Sequence, residues 1–257
     1  MRPTCCRFLV CGGANTGFQD AQALAWRLAL VCRGQASAAL LANYSAERVA
    51  AAWEIIEEAG KSTRFMTPPT RGFRLLRDAV LSLSLTEAFV RPLYHWRTSR
   101  PHEYSHSNLN CRVDDNAQFQ AGPAHGAPPL NVRLTDSQFL LDHLGGGFDL
   151  LWFGAADALL ADVLASVAQW RAKGLPLKIT CISPEGADAG LVKSPADAPW
   201  MQVLSDPQGR VHSRYGVTTP GSAYLLRPDQ HICARWLHLD AQRLNAALAQ
   251  ATTGDAP

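Results

Sequence analysis

Gly12-Gly13-Ala14-Asn15-Thr16-Gly17-Phe18-Gln19-Asp20, running on as Ala21-Gln22-Ala23-Leu24-Ala25-Trp26-Arg27-Leu28-Ala29-Leu30-Val31 to Arg33-Gly34, reads as a glycine-rich turn feeding straight into a helix. Two adjacent glycines let a backbone take positive φ and come close to a ligand. Asn15 and Thr16 are good N-cap residues, and Thr16 with Gln19 has capping-box spacing. Asp20 places negative charge in the expected first turn, where the helix dipole favours it. Gly34, just after Arg33, is the C-terminal stop. From Phe18 to Cys32 only Gln19, Asp20, Gln22 and Arg27 are polar, which predicts a helix buried nearly all round.

Free N–H groups at such a helix start, with no side chain in front of them, hold partial negative charge. A phosphate suits them, and so does the anionic pyrimidine edge of a reduced flavin. The same residues also read as a capped core helix behind a tight turn, and spacing alone favours that plainer reading.

Gly13-Ala14-Asn15-Thr16-Gly17-Phe18-Gln19-Asp20-Ala21 with Leu24-Ala25-Trp26-Arg27-Leu28-Ala29 resembles the last flavin-binding motif of the FAD-dependent aromatic hydroxylases, the phenol hydroxylase and p-hydroxybenzoate hydroxylase group. That motif commonly reads G-M-N-T-G-x-Q-D-A-x-N-L-A-W-K-L-A. Leu40-Leu41-Ala42-Asn43-Tyr44-Ser45-Ala46-Glu47-Arg48 resembles the family's next segment, L-L-x-x-Y-x-x-E-R. The resemblance implies an enzyme that uses FAD, NAD(P)H and O₂ to hydroxylate a phenolic ring. It assigns Gly12, Gly13, Ala14, Asn15 and Thr16 to the flavin and names no catalytic residue. Four features depart from the family. There is no G-x-G-x-x-G for the ADP half of FAD, and Met1 to Cys11 replaces the G-D-x-x-H-x-x-P-P segment. Ala14 stands where Met is usual, and Cys11 where glycine is common. The expectation is therefore the C-terminal part of such a hydroxylase, from a truncated gene or a misplaced start. A non-catalytic remnant or interaction module is the alternative.

The 257 residues are 47% hydrophobic, which predicts a real core. A net charge of +2 gives no case for nucleic acid or acidic membranes. No apolar run spans a bilayer or makes a signal-peptide core, so a cytoplasmic protein is expected. Of seven cysteines none forms C-x-x-C, which argues against disulfide frameworks, zinc ribbons and dithiol redox centres. Cys5, Cys6 and Cys11 lack a companion pair for a metal. Cys32, Cys181 and Cys233 read as small core residues.

Further helices are predicted over 40–60, stopped by Gly60, along Phe73, Leu76, Val80 and Leu83, and briefly from Thr86 through Leu93. In the second helix Tyr44, Glu47 and Arg48 are expected to tie it to a neighbouring domain. Residues 1–98 thus read as the helical remnant of an FAD-binding domain. Residues 99–129, rich in Pro, Ser and Asn, read as a linker. There His102 and His106 have metal-ligand spacing only on a helix, which the composition disfavours; His95 beside Trp96 reads as packing.

Residues 130–252 change period. They predict a short helix at 139–144, strands at 148–153, 177–182 and 200–204, and helices at 157–173 and 211–215. A hairpin follows over 223–226 and 231–236, then a last helix capped by Asp240. This order looks like a thioredoxin fold, which phenol-hydroxylase-type enzymes carry at their C-terminus. Tyr224-Leu225-Leu226-Arg227-Pro228-Asp229 resembles the family's Y-L-V-R-P-D. Gly154-Ala155-Ala156-Asp157 occupies the place of a redox C-x-x-C, so dithiol exchange has no nucleophile. The fold class expected is α/β, a helical FAD-domain remnant followed by a thioredoxin-like domain. The expected partners are a phenolic substrate and either a second copy or a separately encoded flavin domain.

Overall fold

A computed structural model describes residues 12–94, 102–184, 190–193 and 198–254. The readings on Met1 to Cys11, and on His95 beside Trp96, lie outside the described residues. The described residues form two compact units. One joins those up to Gln22 with 46–102, and the other joins 23–45 with those from Glu103 onward.

Three helices come first among the described residues: α1 (Gly12–Cys32), α2 (Ala39–Met66) and α3 (Arg71–Leu83). α1 ends as expected, with Gly34 at φ 68° and its N–H on the Val31 carbonyl. It is not buried all round. Ala23, Trp26, Arg27 and Leu30 form one buried stripe, whereas Phe18 and Leu28 are exposed. That stripe has the i, i+3, i+4, i+7 spacing of a single packed face. Cys32, expected in the core, is exposed because it falls off this stripe.

Gly60 does not stop α2. A glycine inside a helix costs only about 1 kcal/mol against alanine, too little to end a helix that continues on both sides of it. Lys61 pairs with Glu58 at 2.6 Å, and Thr63 Oγ1 donates to the Ala59 carbonyl. The helix ends just before Pro68-Pro69, where a missing N–H and a fixed φ forbid continuation. Thr70 caps α3, accepting from the Phe73 N–H. Only Val80 of α3 is buried; Phe73, Leu76 and Leu83 are exposed. A six-residue 3-10 turn follows at Ala88–Leu93.

The second unit is built on β1 (Phe148–Phe153), α4 (Ala161–Ala172), β2 (Leu177–Ser183), β3 (Gly190–Lys193), β4 (Met201–Ser205), α5 (Arg210–Arg214), β5 (Ser222–Leu226), β6 (Ile232–Trp236) and α6 (Ala241–Thr253). The sheet order is β3-β4-β2-β1-β5-β6. β1, β2 and β4 run parallel, with β3, β5 and β6 antiparallel to their neighbours. This is the mixed α/β arrangement, thioredoxin-like in its β-α-β start and closing hairpin, that the pattern predicted. β3 was not anticipated; four residues among turn formers carry too little periodicity to read.

β1 is apolar almost throughout because both its faces are covered. Leu150 and Trp152 enter a core with Trp26, Leu30, Val163, Val167, Leu244 and Leu248. Leu151 and Phe153 enter another with Leu140, Val211, Tyr215 and Tyr224. A Cβ on Gly147 would lie 2.3 Å from the Pro176 carbonyl oxygen, so the register at the start of β1 depends on glycine. Asp240 caps α6 as expected, accepting from the Arg243 N–H at 2.8 Å. Residues 103–129 contain no strand or α-helix, yet they hydrogen-bond along β6: Cys111 N–H to the Cys233 carbonyl and Asp115 N–H to that of Arg235. Among the described residues, no helix is long and apolar enough to cross a membrane.

Asp149 is the polar exception in β1. Burial raises its carboxyl to about 6, against the Gly145 N–H at 2.7 Å and Lys178 Nζ at 3.3 Å, which pull it down. A carboxyl raised from 3.8 contributes stability that is complete below that value and lost as pH rises through about 6. Asp149→Asn, neutral at every pH, is therefore expected to match the parent near the acid end and to exceed it above neutrality. Urea midpoints across that range check this; a gain that does not change with pH refutes it.

Candidate flavin-facing helix start

The helix is already formed at Gly12, so neither Asn15 nor Thr16 is its cap, and Gly12-Gly13 is not a preceding turn of positive φ. Asp20 correspondingly lies beyond the first turn. What holds this end is side-chain chemistry from α2. Arg48 Nε donates to Asp20 Oδ1 at 2.5 Å, and its Nη2 to the Thr16 carbonyl at 3.4 Å. Thr16 and Asp20 are one helical turn apart, so one guanidinium spans both. Arg48 thus ties α2 to α1 within one unit rather than to a neighbouring domain.

An α-helix leaves its first N–H groups without intrahelical acceptors. Here these fall first on Gly12, Gly13 and Ala14, with Asn15 and Thr16 completing the turn. Ala14 and Asn15 are exposed and Thr16 is buried. A Cβ added to Gly17 would meet nothing within 4 Å. The start of α1 therefore carries N–H donors among small side chains, of which Ala14 and Asn15 are exposed. That donor set suits a ligand edge carrying negative charge.

The other half of α1 contains a charged cluster that sequence reading did not assemble. Arg27, Arg227 and Asp229 are all buried in the second unit. Arg227 grips Asp229 with two bonds, Nε to Oδ1 at 3.0 Å and Nη2 to Oδ2 at 2.7 Å. Trp26 Nε1 donates to Oδ2 at 3.1 Å, and Arg27 Nη1 lies 3.7 Å from the same oxygen. Arg27 also donates to the Ala23 carbonyl, and its guanidinium stacks 4.6 Å from the Trp26 ring. Burial alone would raise the Asp229 carboxyl; Arg227, with His231, reverses that and holds it well below the usual carboxylate range. The available signal was Arg27 itself, the one cation between Phe18 and Cys32, which required a buried anion. His102 and His106 sit in irregular chain, His102 Nδ1 against the Glu54 carboxylate. Among the described residues no cluster of His, Cys, Asp and Glu could hold a metal.

Residues 10–59, which include this helix start and Arg48, match the FAD binding domain family. Over most of its length the chain is similar to 3-(3-hydroxy-phenyl)propionate/3-hydroxycinnamic acid hydroxylases. It is 29% identical to that of Mycolicibacterium smegmatis, across 92% of this chain and 41% of the relative, and 26% identical to that of Escherichia coli, across 86% and 39%. Among solved structures it resembles the rebeccamycin biosynthetic enzyme RebC with reduced flavin (TM-score 0.63, 25% identity, 95% of this chain and 42% of that one). It also shares the fold of aklavinone-11 hydroxylase in complex with FAD and aklavinone (TM-score 0.64, 23% identity, 93% and 40%). The chain thus spans about two fifths of the length of the curated relatives it matches.

Removing the Asp229 charge takes this anion away from two buried guanidinium groups. Asp229→Asn is expected to lower the stability of the second unit by about 3–5 kcal/mol, measured as the loss in urea-unfolding free energy. Because the folded carboxyl lies below its unfolded value, that contribution is present in full above about pH 4 and is lost as pH falls through the folded value. The deficit should persist from neutrality to about pH 4 and shrink only below it.

Proposed function

We propose that this polypeptide forms part of an FAD-dependent aromatic hydroxylase and contributes one wall of its flavin pocket. Gly12, Gly13, Ala14, Asn15 and Thr16 face the pyrimidine edge of the isoalloxazine, with the first N–H groups of α1 directed at it. FAD, reduced by NAD(P)H, supplies the oxygen-activating chemistry for a phenolic substrate. What these residues add is electrostatic: fixed donors stabilise negative charge in the reduced cofactor without reorganising. Arg48 keeps those donors in place through Asp20 and the Thr16 carbonyl. The observation that carries the reading is the small-residue first turn, exposed at Ala14 and Asn15, lying within the stretch that matches the FAD binding domain family.

The remaining walls come from elsewhere, either other residues of a longer polypeptide or a separately encoded flavin domain. Large apolar side chains in the first unit support this. Phe18, Trp53, Leu75 and Phe89 are all more than 60% exposed, and apolar exposure on that scale marks surface that other protein covers. The second unit serves as a packing module, with a second copy of the chain as one possible occupant, and a reducing cytoplasm is the expected setting.

Flavin titration tests the reading. The purified chain should carry no stoichiometric flavin and should bind added FAD weakly, the reduced form more tightly than the oxidised. Asn15→Asp, which adds negative charge to the first turn, should weaken the reduced form several-fold more than the oxidised. A chain that purifies yellow with one FAD per polypeptide overturns the one-wall reading. Equal effects of Asn15→Asp on both redox forms overturn the flavin-facing role.

A further inference from the structure

An open groove of about 620 Å³ in the second unit is lined by Arg133, Arg210 and Arg214, with no acidic side chain in its wall. Arg133 is paired with Asp136 at 2.8 Å, so the cations whose charge is not met by an ion pair among the described residues are Arg210 and Arg214. Arg210 and Arg214 lie one turn apart on α5, with the Ser213 hydroxyl on the same side, and all three are exposed. Neither arginine forms an ion pair among the described residues. The backbone N–H groups at this end of α5 are already committed. Asp206 accepts from Arg210, Val211 and His212 at 2.8, 2.9 and 3.1 Å. The donors left for a ligand are therefore side chains.

The facing wall adds a ring. Arg133 and Phe139 are partners across an isolated antiparallel bridge, which puts both side chains on the same face. Arg133 uses Nε on the Thr135 carbonyl and Nη2 on Asp136, leaving Nη1 uncommitted among the described residues. Asn131 accepts the Leu141 N–H through its carboxamide oxygen, so its NH₂ remains a donor.

We propose that this groove binds a phosphorylated aromatic ligand of the nucleotide class. Its phosphate oxygens lie on Arg210, Arg214 and Ser213, and its planar ring lies against Phe139 and Arg133. Guanidinium forks match phosphate in geometry as well as charge. The exposed Phe139 ring offers a stacking face that a purely acidic peptide would not need. The volume falls in the range of small-molecule sites. The proposal concerns the second unit and is independent of the flavin reading.

Calorimetric titration of the full chain with ADP, adenosine, pyrophosphate and poly-glutamate tests it. Saturable ADP binding is expected, with pyrophosphate weaker and adenosine without detectable heat. The Arg210→Ala/Arg214→Ala double variant should weaken ADP by about tenfold or more. Phe139→Ala should weaken ADP and leave pyrophosphate unchanged, and Asn15→Asp should affect neither. All these side chains are exposed, and unchanged circular dichroism verifies the fold. Absence of ADP binding at millimolar ligand, adenosine binding as well as ADP, or an unaffected double variant overturns the proposal. Tighter binding of poly-glutamate that ignores Phe139→Ala replaces it with an acidic-peptide site.

Discussion

Asp229 sits in a space closed to water with an indole N–H and two guanidinium groups around it. A carboxylate there is tolerable only because each oxygen is met by a donor or a cation. Arg227 reaches it from two residues away in the β5–β6 turn, and Trp26 and Arg27 reach it from α1. The second half of α1 is thereby locked onto the sheet in one rotational setting. Trp26 and Leu30 then fall into the same apolar core as β1, α4 and α6. Slipping the helix by one residue would withdraw the indole N–H and leave charge buried without its partner.

The first half of α1 is held by a weaker and wetter device. Asp20 is about one third exposed, so its pairing with Arg48 is screened by solvent and contributes modestly to stability. Its value is positional. One side chain from α2 fixes a carboxylate and a backbone carbonyl a turn apart. A site built on a rigid helix with small residues at its tip needs little more than this to present donors in a fixed direction.

Much of the second unit was legible. β1, β2, the β5–β6 hairpin and the Asp240 cap could be read because apolar runs, turn residues and a capping carboxylate are local signals. The glycine stop at Gly34 was legible for the same reason, but Gly60 was not a stop, because the neighbours of a helical glycine decide whether its cost is met. β3 escaped because an edge strand of four residues shows no period. The helix start was found but its geometry was misread. Asn15 and Thr16 look like caps in sequence, yet the helix extends past them to Gly12, with Arg48 holding the Thr16 carbonyl from a neighbouring helix.

The sequence by itself determined the element types, the α/β class, the lack of a C-x-x-C redox centre and the glycine-rich helix start that resembles a flavin motif. These follow from residue type and short spacing, which act within a turn or two of chain. Only the tertiary structure decided that Arg27 and Asp229, some two hundred positions apart, share one buried cluster, that Arg48 braces the start of α1, and that three arginines line one groove. Ion pairs and shared grooves depend on distance in space, and no local period encodes which distant charges the fold will bring together.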